Sequence, residues 1–334
     1  MMTLDEDYNS IRNEIVGDSF SRYYFDDTIY HYTSPDGLEG ILLKKGYPTF
    51  RFSRFDCLND KSEGNEIIQL YHQAIVRESS NPNISKEYLD LISDILPTEN
   101  VFFSIDINSS GEEKLPTTYV WSSLAETYLC SFSKAPDDLA MWNYYVKGTR
   151  YEGFNIGVCP ELMIESLSPN SYHKGFKFKL IEVIYNSDIK ASIIKRLIER
   201  PYVLYESSSK SEAEKEALRS FIADYLGTLR FYFKSEYFKH EQEVRAIIML
   251  PKEELVEADN SVRPIIEYRF CNGLTIPYIS IEFEHLQSMI ESVTIGPVDL
   301  DSVQRKEQCI IMRDRLATSY SHVTVNYSGA PVRY

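Results

Sequence analysis

The chain has 334 residues, with 35 Lys and Arg against 50 Asp and Glu, which gives a formal charge of −15 at pH 7. This charge argues against broad, non-specific binding to nucleic acid, because that affinity comes from basic side chains that neutralise phosphates. The length allows one large domain or two ordinary ones. The 25 Tyr and 17 Phe predict an unusually aromatic core or cleft.

The cysteines and the first residues bear on location. None of the five cysteines stands in a CxxC pair, so neither a disulfide framework nor a zinc knuckle is indicated, and a reducing compartment fits. The start is acidic, with Asp5, Glu6 and Asp7, and no apolar stretch approaches the ~20 residues that cross a bilayer. We therefore expect a cytoplasmic protein with no secretion signal and no membrane contact.

The predicted elements of the first half alternate between strands and helices. Residues 1–27 are expected to form a short N-terminal helix and linker ahead of the main domain. Hydrophobic patterning and turn signals predict strands at 28–32, 48–53, 118–122, 128–133 and 154–158. Helices are predicted at 36–45, 63–77, 86–95 and 138–146.

The second half continues the mixture of strands and helices. Residues 160–205 predict a helix, a strand and another helix, and 209–234 is the longest helical pattern in the chain. The remaining predicted helix lies at 303–317, and strands are predicted at 178–185, 243–250, 265–270, 278–283, 292–295 and 322–327. Without an internal repeat, the chain is expected to form one mixed α/β domain over 28–334 with insertions near 79–116 and 186–233.

The first candidate for chemistry is His31, in the segment His31-Tyr32-Thr33-Ser34. It ends a predicted strand whose chain turns directly into a helix, with Ser34 as the N-cap and Pro35 after it. Free backbone N–H groups at a helix start favour an anion such as the phosphate of a nucleotide. The alternative is a histidine hydrogen-bonded within the core beside an ordinary helix cap.

An acidic loop supplies a second candidate site. Asp56, Asn59, Asp60 and Glu63 lie within eight positions of one another and offer enough oxygens for a hard divalent cation or for ribose hydroxyls. Asn59 or Asp60 is equally suited to closing a turn and capping the next helix. The sequence leaves both interpretations open.

Aromatic and hydroxyl side chains form a third group. The predicted strand in Cys130-Ser131-Phe132-Ser133 ends in hydroxyls, and Trp142 and Tyr145 stand three residues apart on one predicted helix face. Such an aromatic pair can stack on a planar ring. A helix buried through its tryptophan explains the same pattern.

The clearest local signal is Glu241-Gln242-Glu243-Val244-Arg245. Alternation along a strand puts Glu241, Glu243 and Arg245 on one side of an otherwise apolar strand. Carboxylates at the mouth of an apolar strand fit a catalytic group whose pKa is tuned by its neighbours. A structural Arg–Glu pair fits as well.

Taken in order, these motifs resemble a widespread bacterial family whose members are mostly described as domains of unknown function. The resemblance spans roughly residues 28–250. It rests on His31-Tyr32-Thr33-Ser34, Leu58-Asn59-Asp60 with Glu63, Cys130-Ser131-Phe132-Ser133, Met141-Trp142 with Tyr145, Gly153-Phe154, and Lys234 with Glu241-Gln242-Glu243-Val244-Arg245.

That family is distantly similar to the ADP-ribosyltransferases, and the similarity implies a largely antiparallel, split sheet with helical insertions that binds NAD as substrate. By this resemblance Glu243 is the catalytic carboxylate, Glu241 completes its Glu-x-Glu element, and His31 binds a ribose hydroxyl. The backbone at Tyr32 is expected to hold the nicotinamide amide. The expected NAD-binding set is His31, Tyr32, Thr33, Ser34, Ser131, Ser133, Trp142, Tyr145, Asn59, Asp60 and Arg245.

Three functions from different classes follow. The first is an ADP-ribosyltransferase, a toxin or anti-phage effector that modifies nucleic acid or protein and answers to an antitoxin or other regulatory partner. The second is a metal-dependent nuclease or phosphoesterase with Asp56, Asp60, Glu63 and Glu241 as Mg²⁺ ligands and His31 as acid or base. The third is a non-catalytic sensor that recognises a nucleotide or a phage component.

Overall fold

The computed structural model describes residues 27–57, 66–98, 125–146, 151–167, 176–251, 264–271 and 273–331. The expected N-terminal helix within 1–27 and the expected strand at 118–122 lie outside these ranges. Asn59, Asp60 and Glu63 of the acidic loop lie outside them too. Within the described part of the chain, no helix is both long enough and apolar enough to cross a bilayer.

A ten-stranded sheet runs through the described residues in the main-path order β10-β9-β4-β1-β3-β2-β8-β7, with β6 pairing β3 and β5 pairing β6. All its ladders are antiparallel except that of β9 with β10. The strands are β1 (Ile29–Thr33), β2 (Thr49–Arg54), β3 (Ala125–Ser133), β4 (Phe154–Val158), β5 (Lys177–Glu182), β6 (Glu243–Pro251), β7 (Ile266–Cys271), β8 (Leu274–Glu282), β9 (Ile290–Ile295) and β10 (Thr324–Tyr327). The predicted mixed α/β class with a largely antiparallel sheet is confirmed.

The sheet divides at β3. One edge of β3 pairs with β6 along its whole length, from Ala125 opposite Pro251 to Ser133 opposite Glu243. The other edge is shared, because β2 pairs at residues 128 and 129 and β1 pairs at residue 133. Residues 130–132 lie between these two contacts. The sheet therefore opens at the middle of β3, between β1 and β2.

The helices are mostly where the patterning predicts them. They are α1 (Pro35–Leu38), α2 (Glu66–Glu78), α3 (Lys86–Ile92), α4 (Leu139–Tyr145), α5 (Pro160–Leu167), α6 (Ser187–Ser207), α7 (Glu212–Tyr232) and α8 (Ser302–Tyr320). Short 3₁₀ turns occur at Phe55–Cys57, Glu236–Glu241 and Gln287–Met289. The prediction of one α-helix over 36–45 is corrected by the structure. The α-helix α1 has four residues, and the chain continues as a π-helical turn, Glu39–Leu43.

Apolar side chains form two large cores. One lies against the sheet, where inward residues of β1, β2, β3 and β6 meet α5 and α8. The other joins α2, α3, α6 and α7 into a helical layer. A smaller cluster connects them, because Phe231 at the end of α7 packs on Leu129 of β3 and Ile247 of β6. Burial of apolar area at ~25 cal/mol per Å² holds each layer together.

Candidate functional site

A cavity of about 1110 Å³ lies at the split in the sheet. His31 of β1, Ser53 of β2, Ser131 of β3 and Glu243 of β6 all line it. Ser131 and Phe132 both line it although neighbouring side chains of a strand point to opposite faces, which agrees with an opening in the sheet at this point. The split therefore brings together residues that are more than 200 positions apart.

The imidazole of His31 fills part of the split. Its Nδ1 donates to the main-chain oxygen of Ser131 at 3.0 Å, and its ring contacts those of Phe50 and Phe132 at 5.6 and 5.5 Å between centroids. Burial lowers the pKa of His31 below its ordinary 6.5, against the opposing effect of the bond to Ser131. The ring is thus neutral, and since a carbonyl only accepts, Nε2 is left as the acceptor.

Ser131 connects His31 to Glu243. While its main-chain oxygen accepts from the histidine, its Oγ donates to Glu243 Oε1 at 2.6 Å. This is possible because residues 130–132 pair with β6 on one edge but face the opening on the other. The two side chains that the resemblance implies as ribose anchor and catalytic carboxylate are thus held by a single residue of β3.

Glu243 belongs to a buried ionic cluster. Lys234 Nζ donates to Glu241 Oε2 at 2.6 Å and to Glu243 Oε2 at 2.9 Å, and the Arg245 guanidinium donates to the same Glu243 oxygen at 3.1 Å. Burial alone would raise the pKa of Glu243, but Arg245 and Lys234 outweigh it and lower the pKa to about 2. The carboxylate is therefore ionised at every physiological pH.

The helical layer holds this cluster in place. Arg245 donates to the main-chain oxygen of Phe231 at the end of α7 at 2.8 Å. The ammonium of Lys190 on α6, 1% exposed, donates to the main-chain oxygen of Lys234 at 2.6 Å and to Glu66 of α2 at 2.8 Å. The two cations that bind the carboxylate are thus each bonded to the helical layer as well, although Arg245 itself stands on β6.

Sequence reasoning missed Lys190 and named Lys234 only within the resemblance. A signal for Lys190 exists, because it falls on the apolar stripe of α6 together with Ile193, Ile194 and Leu197. A lysine on a buried stripe requires a partner in the interior.

Three predicted site residues are buried beside the cavity instead of lining it. Ser133 Oγ donates to the main-chain oxygen of Glu241 and accepts from the amide of Ala135, so it closes the end of β3. Arg245 is fully buried in the ionic cluster. Trp142 is also fully buried and its Nε1 donates to Asp137 at 2.7 Å.

The expectation that Trp142 stacks on a ligand ring is therefore wrong. Its ring packs edge-on against Tyr32 with centroids 4.8 Å apart, because the short helix α4 docks on β1 through that side chain. Tyr145, one turn further along, is 38% exposed and lines the cavity. The two aromatic residues share a helix, but only Tyr145 is presented to a ligand.

The segment after His31 leads from β1 into α1. Thr33 and Ser34 line the cavity, and Tyr32 donates its hydroxyl to the main-chain oxygen of Ala135 at 2.9 Å. Ser34 Oγ caps α1 by accepting from the amide of Gly37 at 3.2 Å. The amide of Gly37 is therefore already bonded within the chain, and the binding of an anion at this helix start stays a prediction.

The structure also bears on the metal-site interpretation. Asp56 is exposed and accepts from Arg54 Nε at 2.7 Å, while Glu241 is bound to Lys234. Asp60 and Glu63 lie outside the described residues. Within the described ranges, no group of three His, Cys, Asp or Glu side chains is arranged to hold a metal ion.

These features describe an α/β protein with a polar cavity at a split sheet and a buried, ionised carboxylate. A family described as "Protein of unknown function (DUF2971)" matches residues 141–246. The matched segment contains Tyr145, Lys234, Glu241 and Glu243, whereas His31 precedes it. No curated protein matches the chain, and no solved structure does.

Proposed function

We propose that this protein cleaves NAD and transfers ADP-ribose to an acceptor. The observation that carries the proposal is that His31 and Glu243, which the resemblance to ADP-ribosyltransferases implies as ribose anchor and catalytic carboxylate, line one cavity and are joined through Ser131. A cavity of about 1110 Å³ also gives room for a dinucleotide, since small-molecule sites usually occupy ~300–1,000 Å³.

The chemistry suits an ionised carboxylate. When the bond between nicotinamide and ribose breaks, its electron pair leaves with the nicotinamide, and the ribose gains oxocarbenium character. A carboxylate with a pKa of about 2 is a poor proton acceptor at neutral pH, so Glu243 acts by stabilising positive charge that appears only in the transition state. The acceptor then attacks the ribose carbon, a new bond forms there, and the proton of the acceptor passes to solvent.

The other cavity residues take complementary parts. His31 Nε2 accepts from a ribose hydroxyl, because its Nδ1 hydrogen is already given to Ser131. Tyr145 offers an exposed ring for stacking on the nicotinamide. Lys234 and Arg245 hold Glu243 in position and ionised.

The nature of the acceptor belongs to the same proposal and rests on the resemblance. Nucleic acid or protein is the substrate class, and a toxin or anti-phage effector is the biological role. An antitoxin or other regulatory partner accompanies such a role. A charge of −15 makes a locally bound segment of nucleic acid or a protein equally acceptable as the acceptor.

The test combines labelled NAD, cell lysate and the purified full chain. We expect label transfer or nicotinamide release, and a decrease of about 10²–10³-fold in Glu243→Gln, the usual cost of removing one charge-stabilising group. Glu307→Gln, which changes an exposed carboxylate on α8 away from the cavity, is the matched control and leaves the rate unchanged. Absence of both products, or an unaltered rate in Glu243→Gln, contradicts the proposal.

A second candidate is a non-catalytic nucleotide sensor. It is favoured by the enclosure of Glu243, which is 3% exposed and has both carboxylate oxygens bonded to protein donors. Calorimetry with NAD and ADP-ribose separates the two functions. Tight binding without turnover by the wild-type chain favours the sensor.

A further inference from the structure

The outermost strand of the sheet, β7, leaves apolar side chains in solvent. It stands at the end of the strand order and pairs with β8 on one side, so within the described residues its other edge has no partner strand. Tyr268 is 66% exposed and Phe270 is 88% exposed. A bare edge with exposed aromatic side chains is a ready template for another strand.

The two faces of β7 are chemically distinct. Tyr268 and Phe270 share one face with Ile266, whereas Glu267 and Arg269 share the other, which is the face that lines the cavity. Each charged group has a partner among the described residues: Glu267 accepts from Ser280 Oγ at 2.7 Å and Arg269 donates to Ser53 Oγ at 2.9 Å. Both retain capacity for a further bond, since a guanidinium has five donors and a carboxylate has two oxygens.

We propose that β7 pairs with β7 of a second copy of this chain in antiparallel register about Tyr268, which makes one continuous sheet across a two-fold dimer. The charges of β7 are complementary in this register. When Tyr268 lies opposite Tyr268 of the partner subunit, Glu267 faces Arg269 of the partner subunit. Because the dimer is two-fold symmetric, Arg269 also faces Glu267 of the partner subunit, which gives a second ion pair. Ile266 then faces Phe270 of the partner subunit on the apolar side.

Other registers lose this match. Centring the pair on Glu267 or on Arg269 sets like charges directly opposite each other, which is destabilising. A slip of one residue sets Tyr268 opposite a charged side chain, because directly opposed residues share a face. The sequence Ile-Glu-Tyr-Arg-Phe is therefore complementary to itself in one antiparallel register.

The size of the contact predicts a reversible dimer. Each buried aromatic side chain covers about 150–250 Å². Two such side chains per copy give at most about 600–1,000 Å² over both copies, which is below the roughly 1,200 Å² of stable specific interfaces. The dimer is thus expected to depend on concentration. It also brings the charged face of a second β7 beside the cavity wall.

Cysteine cross-linking of the full chain tests the register. In a Cys271→Ser background, Tyr268→Cys is expected to form a disulfide dimer on mild oxidation, because opposed Cα atoms lie ~4.5–5.5 Å apart and disulfides span ~4.4–6.8 Å. Phe270→Cys is the matched variant and should not cross-link, since four residues of strand separate the two copies of residue 270 by roughly 13 Å. Cross-linking of residue 270 in preference to 268 overturns the register.

Charge reversal tests the contact without a cross-link. Sedimentation of the wild-type chain over a concentration series is expected to show monomer and dimer, and a chain that stays monomeric throughout overturns the proposal. Glu267→Arg should raise the dissociation constant of the dimer roughly tenfold, because two ion pairs become two repulsions.

The double variant Glu267→Arg, Arg269→Glu restores the pairing of opposite charges. Glu307→Arg on the exposed face of α8 leaves the dimer unchanged.

Discussion

At the scale of single residues, the Glu243 carboxylate is held ionised inside the protein by two cations. Lys234 and Arg245 each donate to its Oε2, and Ser131 donates to Oε1. Removing one member of such a buried cluster leaves another charge unpaired, which is far more costly than losing an exposed pair. The same contacts that position the carboxylate for catalysis therefore also stabilise the fold.

The first prediction concerns pH. The pKa of Glu243 is about 2 in the folded chain against an ordinary 4.5, so its contribution to the free energy of unfolding is complete above pH 4.5 and is lost as the pH falls toward 2. The contribution is of the order of 3 kcal/mol. Urea denaturation of wild type and Glu243→Gln over this range should show their difference in unfolding free energy shrinking with acidity. A constant difference contradicts the assignment.

His31 acts on stability in the same direction but at higher pH. Burial lowers its pKa below 6.5, so the unfolded chain takes up a proton more readily and stability falls as the pH drops below 6.5. The pH range over which the free energy of unfolding falls therefore distinguishes the effect of His31 from that of Glu243.

Some of this site could be predicted from the sequence. Strand alternation predicted Glu241, Glu243 and Arg245 on one side of a single strand, but Glu241 ends a 3₁₀ turn and β6 begins at Glu243. The three side chains still form one cluster, because Lys234 bonds Glu241 and Glu243, and Arg245 bonds Glu243. The spacing of Trp142 and Tyr145 left burial and ligand contact as alternatives, because a helix face of three-residue spacing fits both. The face of α4 that turns inward is set by the contact between Trp142 of α4 and Tyr32 of β1. These two residues are more than 100 positions apart in the sequence.

At the scale of elements, the strand boundaries follow local patterning, whereas the split follows from long-range pairing. The strand predicted at 154–158 coincides with β4, and the strand predicted at 243–250 differs from β6 by one residue. No local sequence pattern predicts that β1 and β2 both pair with the same edge of β3. The resemblance implied a split sheet, but periodicity alone did not.

The helix α7 carries the second prediction, through Gly227. Replacing a glycine inside a helix by alanine normally adds up to ~1 kcal/mol of stability. At Gly227 a Cβ would instead collide with the main-chain oxygen of Thr98, so Gly227→Ala should lower the free energy of unfolding. Gly40 is the matched control, because a Cβ there meets nothing within 4 Å and Gly40→Ala should be neutral or stabilising.

Urea denaturation of both variants measures the contrast. Equal stabilisation by the two substitutions contradicts the close packing of α7 against the segment that ends at Thr98. The amide of Thr98 donates to the main-chain oxygen of Ala223, which holds that segment against α7.

At the scale of the whole molecule, a sheet core and a helical core meet at the ionic cluster. Lys190 joins them, since its ammonium bonds both Glu66 of the helical layer and the main-chain oxygen of Lys234, which leads into the cluster. Phe231 makes the apolar part of the same junction. The two layers are thus coupled where the proposed chemistry takes place.

The third prediction tests this junction. Lys190→Met keeps the length of the side chain but leaves the oxygen of Lys234 without that donor, which should cost about 1–3 kcal/mol of unfolding free energy. Lys195→Met, on the same helix, removes an exposed ion pair with Glu199 and should change stability by less than about 0.5 kcal/mol. Comparable effects of the two substitutions contradict the role given to Lys190.

A crystal structure of the full chain with NAD bound would show whether the split between β1 and β2 is an NAD site. We expect the nicotinamide ribose to lie between His31 and Glu243, with a ribose hydroxyl donating to His31 Nε2 and the nicotinamide ring near Tyr145. NAD bound away from the split, with Ser131 still lying between His31 and Glu243 and no ribose atom near either side chain, would contradict the account.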